Sequence, residues 1–221
     1  MEFEQEPSIK YLEDLLSTIL LKDVVKRNNI GDVDLLEHLA RYAAAEEGRL
    51  LSMKSISDHL KSERRKTASE TIANYMNAME KAFLLYKAPR EDAVGKQRLA
   101  FNEKWYVVDR GLRQAMGMSN QMNIDQVLEG IVFMELKRRG YRVSVGKVGD
   151  LEVDFVAKRG NQYEYYQATY RMADERTRER GFASLSAIPD NYPKFVLSLD
   201  EFDFSKEGIR AIYLVDWLLG E

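Results

Sequence analysis

The apolar residues of the chain switch between two periods. Ile9, Leu12, Leu15, Leu16 and Ile19 recur at helical spacing, and the pattern runs on to about Val25. Asn28, Asn29 and Gly31 then make a turn cluster. Asp32 is placed to cap a second helix with Leu35, Leu36, Leu39, Ala40 and Ala43 on one face, closed by Gly48. A short helix follows over 52–61, with Ile56 and Leu60 inward. Residues 61–66 are a polar turn, after which Thr67 or Ser69 caps a third helix bearing Ile72, Tyr75, Met76, Met79 and Phe83. The period then falls to two. A strand begins at Leu84 and is ended by Pro89, residues 93–97 form a loop, and a second strand over 98–108 alternates through Leu99, Phe101, Trp105 and Val107. Helix, short helix, turn, longer helix and hairpin is the order of a winged helix-turn-helix, a variant of a common DNA-binding motif.

A Met-, Ser- and Asn-rich stretch over 118–123 separates this region from a different pattern. Residues 124–139 read as an amphipathic helix stopped by Gly140. Strands over 141–147, 152–157 and 163–170 follow, the last two a hairpin around Gly160. A strongly charged helix over 171–187, two buried-type strands over 195–199 and 209–214, and a final helical turn complete the chain. The order αβββαββ with mixed pairing predicts an α/β sandwich. The expected organisation is α+β: a linking helix over 1–31, a winged helix-turn-helix over 32–117 and an α/β domain over 118–221.

Composition narrows the function classes. The 221 residues, 45% apolar and 31% charged, suit one large globular domain or two small ones. The absence of cysteine excludes a disulfide framework and a cysteine-ligated zinc, and fits a reducing cytoplasm. With only His38 and His59, a multi-histidine metal site is not expected. No stretch approaches the length of a membrane span, and the acidic start is the wrong charge for a signal or transit peptide. A cytoplasmic protein without a membrane partner is the expectation.

Chemistry concentrates in the second half. Glu129 lies on its first helix, Asp154 in a strand, and Gln167 and Thr169 in the next strand. Strand residues two apart share a face, so Gln167 and Thr169 point together and can meet Asp154 on the neighbouring strand. Metal-dependent phosphodiester cleavage needs carboxylates for magnesium and commonly a lysine near the scissile phosphate. A lone Asp in a strand with a Glu upstream is also the ordinary pattern of solvated or hydrogen-bonded carboxylates.

The spacing resembles the PD-(D/E)XK nuclease superfamily, the restriction-endonuclease-like fold. Glu129 takes the helix acid position of that pattern and Asp154 the strand acid position. Gln167 stands at the second acid and Thr169 at the lysine, so two of the groups needed for cutting are lost, and any magnesium would be bound weakly through Glu129 and Asp154. Glu164 falls on the opposite strand face, and Lys158 would have to reach back from the turn.

A longer resemblance runs through 11–24, 104–112, 128–141, 152–156, 166–170 and 190–194. These segments, among them Trp105-Tyr106-Val107-Val108-Asp109-Arg110-Gly111-Leu112 and Glu152-Val153-Asp154-Phe155-Val156, look like landmarks of the C-terminal region of bacterial and archaeal AAA-type ATPases. The resemblance implies a winged helix followed by a nuclease-like domain with a degenerate site. It also implies a P-loop ATPase module upstream in full-length members, so this chain is expected to be either a fragment, which the resemblance favours, or a stand-alone relative. The chain itself has no phosphate-binding loop, so ATP is expected only through that module, and no cofactor is expected in these residues.

DNA contact rests on local charge. The chain's net charge is -3, yet residues 49–113 hold fourteen basic and eight acidic side chains, a local excess of +6. Lys61, Arg64, Arg65 and Lys66 precede the third helix. Thr67, Ser69 and Asn74 can offer hydrogen bonds at its start, and Lys96 and Arg98 are expected on the wing. Winged helices also serve as protein-protein modules, so double-stranded DNA, the ATPase module, another protein or a further copy of the chain all stand as partners. Three functions follow: a non-catalytic C-terminal DNA-interacting or regulatory module of an AAA-type ATPase, an active atypical metal-dependent nuclease, or a protein-interaction or oligomerisation module without nucleic-acid binding.

Overall fold

The computed structural model describes residues 5–99, 102–172 and 175–220, so Phe101 and residues 173–174 of the charged helix expected over 171–187 lie outside the described residues, and residues 171–172 are not helical. The protein is a mixture of helices and a mostly mixed sheet, divided into two compact units. Unit 1 holds residues 1–87 and 102–122, and unit 2 holds 88–101 and 123–221. No helix among the described residues is long and apolar enough to cross a membrane.

Unit 1 is mainly helical. α1 (Gln5–Thr18) runs into a π-helical stretch, Ile19–Val25, and a last turn, α2 (Lys26–Asn28). Asn29 ends this run in the left-handed region, at φ 50°. α3 (Val33–Ala45) starts where Asp32 accepts a hydrogen bond from the Leu35 N–H at 2.9 Å. α4 (Met53–Ser62) opens with a reciprocal capping box between Ser52 and Ser55. α5 (Ser69–Lys81) has Ala68 at its N-cap and no side-chain cap, so neither Thr67 nor Ser69 caps it. α5 packs on α3 and α4. Leu36, Leu39, Ile56, Leu60, Ile72, Met76 and Met79 form the core there. Phe83 continues the helical spacing but not the helix. Its backbone turns left-handed at φ 56° just beyond α5, and its ring stays 66% exposed. β1 (Leu85–Ala88) pairs with β4 (Lys104–Val107), and α6 (Arg110–Ala115) returns to pack on α1.

The stretch between these two strands does not form a wing in unit 1. β2 (Arg90–Asp92) and β3 (Gln97–Arg98) are antiparallel to each other, and β2 pairs in parallel with β5 (Arg142–Val148) of unit 2. Pro89 O accepts from the Val145 N–H at 2.8 Å, and the Ala93 N–H donates to Lys147 O at 2.9 Å. Lys96 fixes the turn. Its Nζ lies 2.9 Å from Asp190 Oδ2, hydrogen-bonds the Tyr165 hydroxyl, and stands over the rings of Tyr163 and Tyr165. Lys96 and Arg98, expected beside DNA on a wing, therefore belong to the edge of the second sheet. The reason is pairing: β5 would otherwise present an open edge, and β2 satisfies its backbone groups.

Unit 2 is built on a seven-stranded sheet in the order β3-β2-β5-β6-β7-β8-β9. β5, β6 (Leu151–Arg159) and β7 (Gln162–Ala168) form an antiparallel meander. β8 (Lys194–Ser198) lies parallel to β7, and β9 (Ile209–Tyr213) parallel to β8. α8 (Glu175–Ser186) sends Leu185 onto one face, against Val153, Val156, Tyr165 and Val196. The alternate residues face the other way. Phe155 meets Phe133 of α7 (Ile124–Arg138) with centroids 5.9 Å apart, and Tyr166 stacks on Phe195 and meets Trp217 of α9 (Leu214–Leu219).

Candidate functional site

The four positions singled out in the second half, Glu129, Asp154, Gln167 and Thr169, line one cleft of about 560 Å³ in unit 2. Three elements supply them. Glu129 comes from α7, Asp154 from β6, Gln167 from β7, and Thr169 from just beyond β7.

Asp154 owes its position to an irregularity in β6. Ser144 pairs with Val156, and Gly146 with Val153. Two residues of β6, Asp154 and Phe155, thus oppose the single Val145 of β5. This is a β-bulge, and such insertions re-aim side chains at the ends of sheets. Gly146 is the residue that allows it. A Cβ at 146 would fall 2.8 Å from Val156 Cγ2 and 3.1 Å from Val153 Cβ.

The bulged Asp154 is 7% exposed. Its Oδ2 accepts the Ala168 N–H at 2.9 Å, and its own N–H donates to Gln167 Oε1 at 3.3 Å. Ser184 Oγ of α8 lies 3.4 Å from the same Gln167 oxygen. The amide at 167 is thus part of a hydrogen-bond lattice joining β6, β7 and α8. On the opposite strand face, Glu164 accepts from the Tyr141 hydroxyl at 2.9 Å and from the Tyr166 hydroxyl. Burial, and then the bond to Glu164, raise the Tyr141 and Tyr166 phenol pKa values, which keeps both as donors. Lys158 does not reach the cleft. Its Nζ donates to the Tyr163 hydroxyl at 2.8 Å.

Residues not singled out from the sequence complete the cleft. Asp125, Asp150, Glu152, Arg171 and Ser184 line it as well. Asp125 and Glu129 are four apart on α7, and Glu152 and Asp154 two apart on β6, so both pairs were recognisable by shared face. Asp125 also accepts the Tyr170 N–H at 2.7 Å. Among the described lining residues there are five carboxylates and one cation, Arg171. The donors are oxygens, the chemistry that a hard divalent cation takes. Among the described lining residues there is no lysine, and position 167 offers a neutral amide.

The candidate DNA residues divide differently. Lys61, Arg64 and Lys66 are exposed around the turn from α4 to α5, and Asn74 is exposed on α5. Arg64 holds a left-handed backbone, at φ 64°. Thr67 and Ser69 are half-buried, and Thr67 O accepts from the Ser57 hydroxyl at 2.7 Å. Arg65 is ion-paired to Asp34, whose carboxyl pKa is lowered by that hydrogen bond and charge. The local excess of +6 is also smaller in effect. Arg110 and Arg113 both grip the fully buried Glu47, which lies just before the basic stretch.

Residues 2–123 match the profile of a domain of unknown function, DUF8612. The chain belongs to the DUF8612 family. The matched segment takes in unit 1 together with the β2–β3 ribbon. A relative in Haemophilus influenzae strain Rd, an uncharacterized protein, is 37% identical over 209 residues, covering 94% of this chain and 52% of its own length. An uncharacterized protein of Methanocaldococcus jannaschii is 27% identical over 212 residues, covering 93% of this chain and 46% of its own. This DUF8612 chain thus spans about half the length of the curated relatives it matches. No solved structure matches it.

Proposed function

We propose that this DUF8612 chain is a non-catalytic, DNA-interacting module of a longer protein, with a nuclease-like unit that keeps the cleft but not the cutting groups. The cleft composition carries this reading. Glu129 and Asp154 line the cleft together with Gln167 and Thr169, the two positions at which the nuclease resemblance would put a second carboxylate and a lysine. Helix α7, the antiparallel meander, helix α8 and a strand parallel to β7 support a restriction-endonuclease-like scaffold. The three packed helices followed by the β1–β4 ribbon support a helix-turn-helix with a two-stranded ribbon, whose expected wing tip is instead paired into the second sheet, and exposed Lys61, Arg64 and Lys66 suit phosphate contact. Relatives about twice as long leave room for a partner module, and an AAA-type ATPase is the one the sequence resemblance suggests. ATP would then be handled there and not by these residues.

Titration of labelled duplex DNA at low salt tests the proposal. Binding that weakens steeply with salt, and is lost in a Lys61→Ala, Arg64→Ala, Lys66→Ala triple variant, is expected. No binding at low salt by the unaltered chain sinks it. An atypical metal-dependent nuclease is the second reading, favoured by five carboxylates and Arg171 in one cleft. Incubation with magnesium or manganese and linear or branched DNA separates the two. Cleavage abolished by Asp154→Ala would replace the first reading with the second, and cleavage unchanged by it would point to a contaminant.

A further inference from the structure

The chain has two histidines, His38 and His59, and the fold brings both to one carboxylate. His38 lies on α3. His59 lies near the end of α4, and Glu63 is the C-cap residue of that helix. His38 Nε2 is 2.9 Å from Glu63 Oε2, and His59 Nε2 is 3.6 Å from Glu63 Oε1. The three ligand atoms all lie within 4.8 Å of one another. We propose that His38, His59 and Glu63 bind a divalent first-row transition-metal ion, of which zinc is the best fit, in unit 1 and apart from the acidic cleft.

The distances suit such an ion. Ligands about 2.0–2.1 Å from a tetrahedral zinc stand about 3.3–3.4 Å from one another. The two observed separations, 2.9 Å to Glu63 Oε2 and 3.6 Å to Oε1, lie on either side of that value, so one carboxylate oxygen has to turn between the two imidazoles. Closing the remaining gap asks only for side-chain adjustment, because all three side chains are partly exposed, between 36% and 42%.

The local structure holds the ligands in place. His59 and Glu63 are four apart at the end of one helix, which puts them on a single face. The Glu63 N–H donates to the carbonyls of His59 and Leu60, fixing its backbone, and the Tyr42 ring of α3 packs on His59 with centroids 4.6 Å apart. Ligands from α3 and α4 together make the ion a clamp between two helices. Nearby Arg65 is ion-paired to Asp34, so its charge is partly offset before a cation arrives.

The donor set decides the metal class. Two imidazoles and a carboxylate suit zinc, cobalt, nickel and copper better than magnesium or calcium, which prefer oxygen alone. Three protein ligands leave a fourth position for water or a further group. The sparseness of histidine argued against a multi-histidine site, but both histidines of the chain meet here.

The test uses untagged, chelator-treated protein, titrated with zinc chloride by calorimetry and with cobalt(II) by visible absorption. One tightly bound zinc per chain is expected, distinct from any weaker binding at the acidic cleft, with cobalt bands characteristic of a low-coordinate nitrogen-oxygen site. His38→Gln, His59→Gln and Glu63→Gln should each weaken zinc binding by at least about tenfold and abolish the bands, with helical circular dichroism unchanged. Asp154→Asn, in the other unit, should leave both readouts intact. Zinc affinity and cobalt bands that persist in the histidine variants, or that disappear in Asp154→Asn alone, would overturn the assignment. So would the absence of stoichiometric binding.

Discussion

Asp154 and Gln167 hold each other across neighbouring strands: the Asp154 N–H donates to Gln167 Oε1, while Asp154 Oδ2 accepts from the N–H of Ala168, one residue further on. A carboxylate at 167 can accept the same N–H. Gln167→Glu therefore keeps the lattice and adds a charged ligand beside Asp154. Manganese affinity of the cleft should rise by about tenfold, or ~1.4 kcal/mol. Calorimetry in a His38→Gln background, which removes the other proposed metal site, measures it. Unchanged affinity would mean that the oxygen at 167 is not directed at a cation site.

The bulge that places Asp154 depends on a missing side chain. Gly146→Ala would put a methyl group within 2.8 Å of Val156 Cγ2, inside a packed sheet. Such overpacking costs about 1–3 kcal/mol. Denaturant unfolding should show a lower midpoint with an unchanged slope. Metal affinity of the cleft should fall as well, because relief of the clash moves β6 at the bulge. A stable Gly146→Ala variant with unaltered metal binding would remove the bulge from the account of the site.

In unit 1 the corresponding weak point is Glu47. It is wholly buried, accepts the Val107 N–H at 2.9 Å, and faces both Arg110 and Arg113, the latter only 2% exposed. Glu47→Gln strips the charge from between two guanidinium groups. Breaking a buried pair in this way costs about 3–5 kcal/mol. Urea unfolding at neutral pH checks the value, and a loss below about 1 kcal/mol would mean that water reaches the arginines.

Much of this was legible in the chain, and the exceptions share a cause. Asp32 was readable as a cap because capping is local, and the αβββαββ order emerged from periodicity alone. Strand parity was enough to bring Gln167 toward Asp154. The partner of β2 was not readable, because Arg90 pairs with Val145 across a long sequence separation and nothing near 90 names that strand. The bulge at Asp154 was hidden for the same reason, since two residues opposing one is a property of the pair of strands. Phe83 has the spacing of the helix, but its left-handed backbone lies beyond the helix end, a property that spacing does not carry. Glu47 lies two residues before the basic stretch that opens at Arg49, so the +6 of residues 49–113 includes Arg110 and Arg113 without the distant acid that neutralises them.

The anchor at Lys96 should appear in the pH dependence of stability. Burial pushes the Asp190 carboxyl pKa up, but hydrogen bonds from Lys96 and the Tyr165 hydroxyl more than offset it, and the net shift is downward. A carboxyl whose folded value lies below its unfolded value stabilises the protein fully above about pH 4 and loses that contribution as the pH falls through the folded value. Lys96→Met removes the main opposing charge. Its urea midpoint should be lower at pH 7 and should fall less between pH 5 and pH 2 than that of the unaltered protein. Tyr165 adds the opposite limb. Its phenol pKa is raised, first by burial and then by the bond to Asp190, so its contribution holds below about pH 10 and fades above it. Tyr165→Phe should flatten the alkaline limb. Parallel curves for all three proteins would deny the anchor its role.

The same lysine separates two views of DNA contact. If the basic excess of residues 49–113 acts as one surface, Lys96→Met should weaken duplex binding as much as Lys61→Ala does. The partners of Lys96 argue otherwise. Lys96 is tied to Asp190 and to two tyrosine rings, while Lys61, Arg64 and Lys66 are exposed around the turn before α5. Each phosphate contact removed should lower the slope of log affinity against log salt by about 0.9. The triple alanine variant of Lys61, Arg64 and Lys66 should therefore reduce the slope by as much as about 2.7. Lys96→Met, studied at a temperature where it stays folded, should leave the slope unchanged. An equal loss from Lys96→Met would mean that the β2–β3 ribbon contacts the backbone after all. An unchanged slope in the triple variant would move the nucleic-acid surface away from the helix-turn-helix altogether.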